Sequence, residues 1–428
     1  METTVPEGKW ARASIVGSTA LKVGLREVQH QAKRPFMSIE RQQVDKQTLD
    51  EKNAELIFNA LTQLRGTALK VAQMLSMEIE ILPERYRKEL QKSFHQVPPL
   101  NRVLVRKAIQ EQLGQPPEYL FAEFNDQAFA AASLGQVHQA RLLDGTAVAI
   151  KIQYPGIHVA MNNDMQLMRK LAPRLPNPQM VLQSLEEIHD RLKEEVDYAH
   201  EAATTQWFAE HLRVAGIQIP KVYTKFSGTR LLTTELVEGL HLEAWLATQP
   251  SQAMRNRAAQ YLYDMLVYSV RHLKRLHADP NPGNYLFHAD GSVSLIDFGC
   301  TKPFSSEFIH ILPELLHAFV RDDAEAILAA YRVLGMNPQP YSATWYPEVL
   351  RPFAQWAALP LQTESFDFGK HPQYTSSARE IIQKLSQNTI LNKIAKDFIF
   401  FDRTIYGLCK IFERMGAEVR MRHHWLED

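Results

Sequence analysis

The sequence predicts an α+β fold of two lobes preceded by a helical extension, and three observations carry that prediction. Strand-like patterns with turn signals are concentrated in residues 119–155 and return at Leu231–Val237. Helical periodicity dominates the rest of the chain. The 428 residues, 45% of them hydrophobic, are enough to bury more than one core. The predicted divisions are 1–100 for the extension, 101–238 for the first lobe and 239–428 for the second.

Composition restricts the classes of partner and compartment. Lys+Arg and Asp+Glu both number 48, so the net charge of +0 gives no reason to expect nucleic acid as a partner. The two cysteines, Cys300 and Cys409, cannot form a disulfide framework and fit a reducing compartment. No apolar run is long enough to span a bilayer, and no signal-peptide pattern is present. We therefore expect a cytoplasmic protein or one that binds a membrane peripherally.

A basic amphipathic helix is predicted from Ser18 onward. Such a helix can lie on an anionic membrane surface, or it can pack on the protein body with its basic face in solvent. The pattern leaves both alternatives open. The apolar positions are Leu21, Leu25, Val28 and Ala32, and the basic residues are Lys22, Arg26, Lys33 and Arg34.

A second helical region is predicted from about Thr48 to about Leu75. Lys70 and Gln73 lie three residues apart on a different face from its apolar side chains. Periodicity alone therefore predicts that both face solvent. Pro83 opens a further helix, and Val103–Leu113 forms another amphipathic one.

Residues 119–155 predict the start of a sheet. Phe129–Ala140 has the pattern strand, tight loop, strand, and Asp144-Gly145 predicts a hairpin turn into Thr146–Lys151. Loops that cradle phosphates usually contain glycines, which let backbone N–H groups approach closely. Alanines stand here instead, so we expect nucleotide binding with less backbone freedom. The predicted nucleotide-binding residues of this loop are Ala130, Ala131, Ala132, Ser133 and Gly135.

The strand Val148–Lys151 ends on a lysine that is typical of a phosphate-contacting position. Such a lysine needs a carboxylate partner on a nearby helix. The candidate helix is Pro178–Leu212, where Glu201 is the favoured partner and Glu195 the competing one.

The strand predicted at Leu231–Val237 leads into a hinge. Backbone groups near Glu235 and Val237 are placed to contact the edge of an adenine ring. Helical patterns follow at Leu242–Leu246 and Met254–Leu276, which lead into the stretch that carries the chemistry.

Residues 276–299 form a loop, a strand, a turn and a second strand, and end on Asp297-Phe298-Gly299. Phosphoryl transfer needs a carboxylate near the attacking oxygen and hard oxygen ligands for magnesium. We assign Asp279 as the base or orienting carboxylate, and Asn284 and Asp297 as magnesium ligands. The order and spacing of these residues predict a two-lobed protein-kinase-like fold with a helical C-lobe.

The same tripeptide recurs at Asp367-Phe368-Gly369. No apolar strand leads into this copy, and no Asp-x-x-x-x-Asn precedes it, so we interpret it as a turn. It falls within Gln339–Ser376, which is predicted to be an irregular insertion. His423-His424 near the end is interpreted as a solvated tail rather than a metal site. The other predicted helices of this C-terminal part are Glu307–Phe319, Asp323–Leu334, Ala378–Leu385 and Leu391–Met415.

From about Arg65 to about Lys302 these motifs, in this order, resemble the UbiB (AarF-type) atypical kinase-like family, which is linked to the biosynthesis of ubiquinone and other isoprenoid quinones. Ala72 stands where the family motif Lys-x-Gly-Gln has glycine. The matching positions are Lys70 and Gln73, Ala130–Gly135, Lys151, Glu195 and Asp197 with Glu201, Asp279, Asn284 and Asp297.

The resemblance implies ATP or ADP and Mg²⁺ as cofactors, and an N-terminal extension that folds over the active site. Lys70 would then be catalytic and, with Gln73, would point into the nucleotide pocket near Glu195 and Asp197. Such an extension would exclude a protein substrate, which implies an ATPase or a small-molecule kinase. The implied partners are quinone precursors or other lipids, and the enzymes of quinone biosynthesis.

Two other functions are compatible with the residues. The loop His277–Asn284 and the tripeptide after it also suit a small-molecule kinase of the aminoglycoside or choline type, although the Ala-rich loop with Lys70 and Gln73 argues against it. A nucleotide-gated, lipid-binding scaffold with negligible turnover is the third hypothesis, because intact ligands prove binding more readily than catalysis.

Overall fold

The computed structural model describes residues 9–33, 37–38, 41–42, 45, 48–49, 52–53, 56, 100–132, 134–174, 178–335, 346–378, 381 and 396–426. Lys70, Gln73 and Ser133 lie outside the described residues, as do the helix predicted at Pro83 and most of the one predicted from Thr48. The chain divides into two compact units. Unit 1 is Met1–Ala199 with Thr224–Thr233, and unit 2 is His200–Tyr223 with Thr234–Asp428.

The described helices are α1 Lys9–Lys33, α2 Arg102–Leu113, α3 Pro117–Leu120, α4 Ile157–Leu171, α5 Pro178–Glu195, α6 Tyr198–His211, α7 Leu242–Ala247, α8 Gln252–Tyr268, α9 Ser306–Arg321, α10 Ala324–Val333, α11 Arg351–Ala358, α12 Lys396–Met415 and α13 His423–Leu426. The strands are β1 Phe121–Phe124, β2 Ala130–Ala132, β3 Gly135–Leu142, β4 Ala147–Gln153, β5 Ile217–Gln218, β6 Leu231–Glu235, β7 Arg275–His277, β8 Tyr285–Phe287, β9 Val293–Leu295, β10 Thr301–Pro303, β11 Phe366–Asp367 and β12 Glu418–Val419.

A mostly antiparallel sheet is the centre of unit 1. Its strands follow the order β1, β3, β4, β6, and β2 pairs with β3. The β3–β4 hairpin turns at the predicted Asp144-Gly145, where Gly145 has a φ of 89° and Asp144 Oδ1 accepts from the Thr146 N–H. A positive φ is unfavourable for residues that have a Cβ, so glycine fits this position. The hairpin turn predicted from the sequence is therefore confirmed.

The helix predicted from Ser18 is part of α1. One alternative was that this helix packs its apolar face on the protein and leaves its basic face in solvent, and the structure does not have this arrangement. Leu21, Leu25 and Val28 are 65%, 55% and 65% exposed. The buried side of α1 instead carries Val23 and His30, and the His30 ring bonds Asp45 at 2.7 Å. Among the residues that the structure describes, the apolar stripe of α1 is therefore exposed rather than packed.

The long helix predicted at Pro178–Leu212 is two helices in the structure. α5 ends at Glu195 and α6 begins at Tyr198, with Val196 buried between them. The Val196 carbonyl accepts a hydrogen bond from the Gln153 side chain of β4, at 2.5 Å. Because this carbonyl bonds the sheet rather than a helical N–H, the helix is interrupted there.

Unit 2 is built around one helical core. Buried apolar residues of α8, α9 and α12 belong to this core, and α8 packs against the small sheet of β5, β9 and β8, in which β5 and β9 are parallel. The predicted helices Glu307–Phe319, Asp323–Leu334 and Leu391–Met415 correspond to α9, α10 and α12. Of Ala378–Leu385, only the first residue and Ile381 are described.

Three further predictions need correction. The predicted insertion is partly regular, since α11 and β11 lie within it. β6 ends at Glu235, before the predicted Val237. The predicted solvated tail is docked: the His424 ring lies 2.7 Å from Asp264 Oδ1, and Trp425 Nε1 donates to the Tyr263 hydroxyl at 2.5 Å. Among the described helices, none is both long and apolar enough to cross a membrane.

Candidate functional site

The Ala-rich loop is a tight hairpin between β2 and β3. Ala130 pairs with Val137, Ala131 with Gln136, and Ala132 with Gly135. Gly135 has no room for a side chain, because an added Cβ would lie 2.3 Å from the Ile152 carbonyl oxygen. A glycine is therefore required where β3 passes β4, even though alanines occupy the loop before it.

Two buried polar side chains of β3 fix this hairpin to the residues before α2. The Gln136 side chain accepts from the Leu100 N–H at 2.8 Å and contacts His138 Nε2 at 2.7 Å. His138 Nδ1 lies 2.8 Å from the Asn125 carbonyl, which can only accept, so Nδ1 carries the proton. Burial lowers the pKa of His138, which favours the neutral ring, and the bond to the Asn125 carbonyl selects the tautomer.

Lys151 lies in the middle of the β4 pairing, opposite Val137 of β3. Its Nζ is 4.9 Å from the centroid of the Tyr198 ring, at the first turn of α6. Tyr198 is buried, and its hydroxyl would lie 3.0 Å from a Cβ added to Gly135. The Tyr198 ring thus holds the Lys151 ammonium group in a cation–π contact. The hydroxyl of the same ring lies next to Gly135, at the start of β3.

The Glu-x-Asp motif, Glu195-Val196-Asp197, is at the junction of α5 and α6. Glu195 is half-buried at the end of α5, and Asp197 is exposed. The bond from Gln153 to the Val196 carbonyl fixes this junction to β4, two residues from Lys151. The structure therefore brings the motif and the strand lysine together within unit 1.

The loop from Ala278 to Asn284, named the catalytic loop here for its predicted role, follows β7 in unit 2. The Asn284 side-chain amide donates to the Asp279 carbonyl oxygen at 3.1 Å and to Asp279 Oδ2 at 2.9 Å. Asn284 is buried, and its carbonyl accepts from the Ile296 N–H at 3.0 Å, at the end of β9. Because the amide nitrogen is engaged by Asp279, the amide oxygen of Asn284 is the atom left for a cation.

Asp297 begins a turn immediately after β9. Its Oδ1 accepts from the Gly299 N–H at 2.9 Å, and its carbonyl lies 2.8 Å from His277 Nε2, which must donate. Glu201 of α6 is buried beside this turn, since a Cβ added to Gly299 would lie 3.9 Å from Glu201 Oε2. Within unit 2, the structure therefore brings together Glu201, Asp297, and the Asp279–Asn284 pair bonded to the strand that precedes Asp297.

Buried aromatic rings support this site from below. Phe298 is fully buried and its ring lies 5.2 Å from that of Phe208. Tyr285 follows Asn284 directly; burial raises the pKa of Tyr285, and the nearby charge of Asp279 raises it further. Tyr285 is thus a neutral side chain at any physiological pH and does not compete with Asp279 as a base.

The donor set fits magnesium bound together with a nucleotide. Asn284 offers an amide oxygen and Asp297 a carboxylate, which are the hard oxygen ligands that Mg²⁺ prefers. Magnesium is usually held by one or two such side chains, and phosphate oxygens and water complete its octahedron.

The remaining predicted residues are placed more simply. Glu235 is exposed at the end of β6, where its N–H donates to the Lys221 carbonyl at 2.8 Å, and Val237 follows in the connection to α7. Their contact with adenine stays a prediction, as does the choice between Glu201 and Glu195 as the partner of Lys151.

Sequence reasoning missed two kinds of contributor. Tyr198 was available as a signal, because it is the only aromatic residue between the Glu-x-Asp motif and Glu201. Arg403 and Gly407 of α12 touch the catalytic loop from more than a hundred residues away, and no local pattern points to them.

Comparison with known proteins relates this geometry to one family. A family model described as the ABC1 atypical kinase-like domain matches residues 92–331. The atypical kinase COQ8B, mitochondrial, of Rattus norvegicus is 31% identical over 397 residues, which cover 86% of this chain and 71% of the relative. The atypical kinase COQ8, mitochondrial, of Saccharomyces cerevisiae is 29% identical, over 64% of this chain and 56% of that protein.

A solved structure agrees with the sequence comparisons. Rv3197 of Mycobacterium tuberculosis, determined in complex with erythromycin, has a TM-score of 0.61 and 27% identity over 89% of this chain and 96% of that one. The predicted kinase-like α+β fold is thereby confirmed. The chain therefore belongs to the ABC1 atypical kinase-like family, the UbiB/AarF type.

Proposed function

We propose that this protein binds Mg–ATP and transfers or hydrolyses its terminal phosphoryl group. The observation that carries the proposal is the hydrogen-bonded pair of Asp279 and Asn284, bonded through the Asn284 carbonyl to the strand that delivers Asp297. The amide of Asn284 thereby orients one carboxylate and keeps its own oxygen available for a cation. Positioning and charge stabilisation are what phosphoryl transfer requires of a protein.

Each residue has a definite task in this mechanism. Lys151, held by the Tyr198 ring, binds phosphate oxygens as a fixed point charge. Asp279 accepts a hydrogen bond from the attacking hydroxyl or water and orients it. Asn284 and Asp297 would hold magnesium, which neutralises the charge that develops on the phosphate oxygens. Lys70 and Gln73 are proposed to act on the nucleotide as the family resemblance implies.

The biological role that we propose is support of ubiquinone or another isoprenoid quinone biosynthesis. The COQ8 and COQ8B relatives and the family resemblance support it. The substrate would be a lipid-like precursor, or the protein would act on the enzymes that handle such precursors.

The exposed stripe of α1 supports a peripheral membrane contact. Leu21, Leu25 and Val28 are at spacings of four and three residues on one side of α1, and Lys22 lies beside them. Apolar side chains with neighbouring cations are the features that bring a helix to an anionic membrane interface. We expect Leu25→Glu to reduce co-sedimentation with anionic vesicles, whereas Leu143→Glu, at an exposed leucine of the β3–β4 turn, should not.

The test of the proposed function is magnesium-dependent ATP hydrolysis by the full chain, with and without anionic liposomes and a soluble phenol that mimics a quinone precursor. The proposal predicts hydrolysis that liposomes and phenol stimulate and that Asp279→Asn abolishes. Phosphorylation of a soluble alcohol without lipid stimulation would favour the small-molecule kinase. Nucleotide binding without turnover under every condition would contradict the enzyme and favour the nucleotide-gated scaffold.

A further inference from the structure

Helix α12 approaches the catalytic loop so closely that one of its residues has to be glycine. A Cβ added to Gly407 would lie 2.3 Å from Pro280 Cγ and 2.7 Å from Pro280 Cβ. Glycine is a poor residue for the interior of a helix, because it adds backbone entropy to the unfolded chain. Its presence here allows Pro280, the neighbour of Asp279, to pack directly on the helix backbone.

Arg403 contacts the same loop one helical turn earlier. Residues four apart share a face of a helix, so Arg403 and Gly407 both face the catalytic loop. Arg403 Nη2 donates to the Ala278 carbonyl at 3.3 Å, and the Ala278 N–H donates to the Cys300 carbonyl at 3.0 Å. The peptide groups on both sides of Ala278 are therefore fixed by residues distant in the chain.

The loop needs this support because its own sequence provides little. Pro280 and Pro282 have no backbone N–H, so the loop around Asp279 has few donors with which to hold itself. Asp279 accepts a side-chain hydrogen bond from Asn284, and Asn284 is also a proposed ligand of the cation. Contacts from α12, together with the bond from the Ala278 N–H to the Cys300 carbonyl, thus fix the start of the loop independently of the metal.

The second terminal nitrogen of the Arg403 guanidinium group is not explained by stability. Arg403 Nη1 is buried and finds no hydrogen-bond partner in the described part of the chain. A buried donor without an acceptor costs stability, so its presence in a native structure requires an explanation. The bond from the same guanidinium group to the Ala278 carbonyl offers one.

We propose that Arg403 and Gly407 are positioning residues for Asp279, and that α12 acts as a rigid support which holds the catalytic loop before magnesium or nucleotide binds. This proposal rests on the proposed function for the role of Asp279. The position of the loop, however, is a property that can be measured without turnover.

The experiment is amide hydrogen exchange over residues 276–284 in the full chain without nucleotide, for wild type, Arg403→Met, Arg403→Lys and Gly407→Ala. The support predicts exchange about tenfold faster in this segment for Arg403→Met and Gly407→Ala, and partial recovery in Arg403→Lys, which keeps a donor. Exchange in the β3–β4 hairpin of unit 1 should be unchanged. Exchange within about twofold of wild type in both Arg403→Met and Gly407→Ala would overturn the proposal.

Turnover and thermal stability supply the second readout. We expect Arg403→Met and Gly407→Ala to lower kcat about 10- to 100-fold with the ATP dissociation constant nearly unchanged, since a misplaced carboxylate affects the reaction more than binding. Gly407→Ala should also lower Tm, because its Cβ would overlap the Pro280 ring, whereas Gly24→Ala, at a helical glycine with open space around it, should not.

Arg414→Met is the matched arginine control on the same helix, because Arg414 is exposed and bonds only Glu243 among its described ion pairs. It should keep wild-type kcat and exchange. A loss of kcat equal to that of Arg403→Met would contradict a specific role for Arg403. Absence of hydrolysis by the wild type would instead defeat the proposed function, and the exchange experiment would still decide the positioning role.

Discussion

The tripeptide Asp-Phe-Gly occurs twice in unit 2, and the two copies have nearly the same local structure. In both, Asp Oδ1 accepts from the Gly N–H at 2.9 Å, and the phenylalanine is 0% exposed. In both, the aspartate carbonyl bonds a histidine ring: His277 Nε2 at Asp297, 2.8 Å, and His371 Nδ1 at Asp367, 2.9 Å.

The surroundings of the two carboxylates are different. Asp367 Oδ2 pairs with Lys370 Nζ at 3.0 Å, and β11, which ends on Asp367, pairs with β12. At the first copy the residue three positions on is Cys300, and the neighbours are Glu201 and the strand bonded to Asn284. The tripeptide therefore encodes a turn with a buried ring, and the elements that meet at the turn determine whether it can hold a cation.

The largest expected difference between the copies is in catalysis. Asp297→Asn should lower magnesium-dependent ATP hydrolysis by about 10³-fold, because it removes the one carboxylate among the two proposed magnesium ligands. Asp367→Asn should leave hydrolysis within about twofold of wild type. Equal losses in the two variants would show that the second copy also contributes to the active site.

The buried rings should behave alike. Phe298→Ala and Phe368→Ala each remove a fully buried phenyl ring, so each is expected to lower the free energy of unfolding by about 3–4 kcal/mol. Urea denaturation of the two variants measures this. A large loss for one ring and a negligible one for the other would mean that the local equivalence does not extend to packing.

The two histidines that bond the aspartate carbonyls differ in burial, so substituting each of them tests whether burial determines its contribution to stability. His277 is 2% exposed whereas His371 lies on the surface, so His277→Ala leaves a buried carbonyl without its donor. We expect a loss of about 1–3 kcal/mol and about tenfold slower hydrolysis for His277→Ala, against less than about 1 kcal/mol and unchanged hydrolysis for His371→Ala. Similar stability losses would remove burial as the explanation.

The smallest effect concerns pH. Burial raises the pKa of Asp367, but hydrogen bonds from Lys370 and Gly369 and the charge of Lys370 outweigh it, so this pKa lies below its usual value. A lowered carboxylate pKa contributes stability above the unfolded-state pKa, and that contribution is lost as the pH falls through the folded-state value.

Asp367→Asn should therefore be less stable than wild type by less than about 1 kcal/mol at pH 7, and the difference should shrink from about pH 5 toward pH 3. Urea midpoints of the two proteins across this range provide the measurement. A difference that grows as the pH falls would contradict the assigned direction of the pKa shift.

The chain's local features could be predicted from its sequence. The Asp144-Gly145 hairpin, the strand that carries Lys151 and the turn at Asp367 follow from neighbouring residues, and the structure has all three. The β8–β9 hairpin that separates Asn284 from Asp297 also followed from neighbouring residues, and the structure has it.

Features that depend on distant partners could not be predicted. The break at Val196 depends on a hydrogen bond from Gln153, and the approach of α12 to the loop joins Arg403 to Ala278 across 125 positions. Periodicity also identified the apolar side of α1 correctly but gave no information on whether another element covers it. Tertiary contacts decide each of these outcomes.

The most direct test of the central claim is binding of Mn²⁺, as a paramagnetic substitute for Mg²⁺, measured by electron paramagnetic resonance with and without ADP. We predict nucleotide-dependent Mn²⁺ binding by wild type and by Asp367→Asn, and its loss in Asp297→Asn and Asn284→Ala. Undiminished binding in Asp297→Asn, or loss in Asp367→Asn alone, would contradict the claim that only the first of the two tripeptides holds the metal.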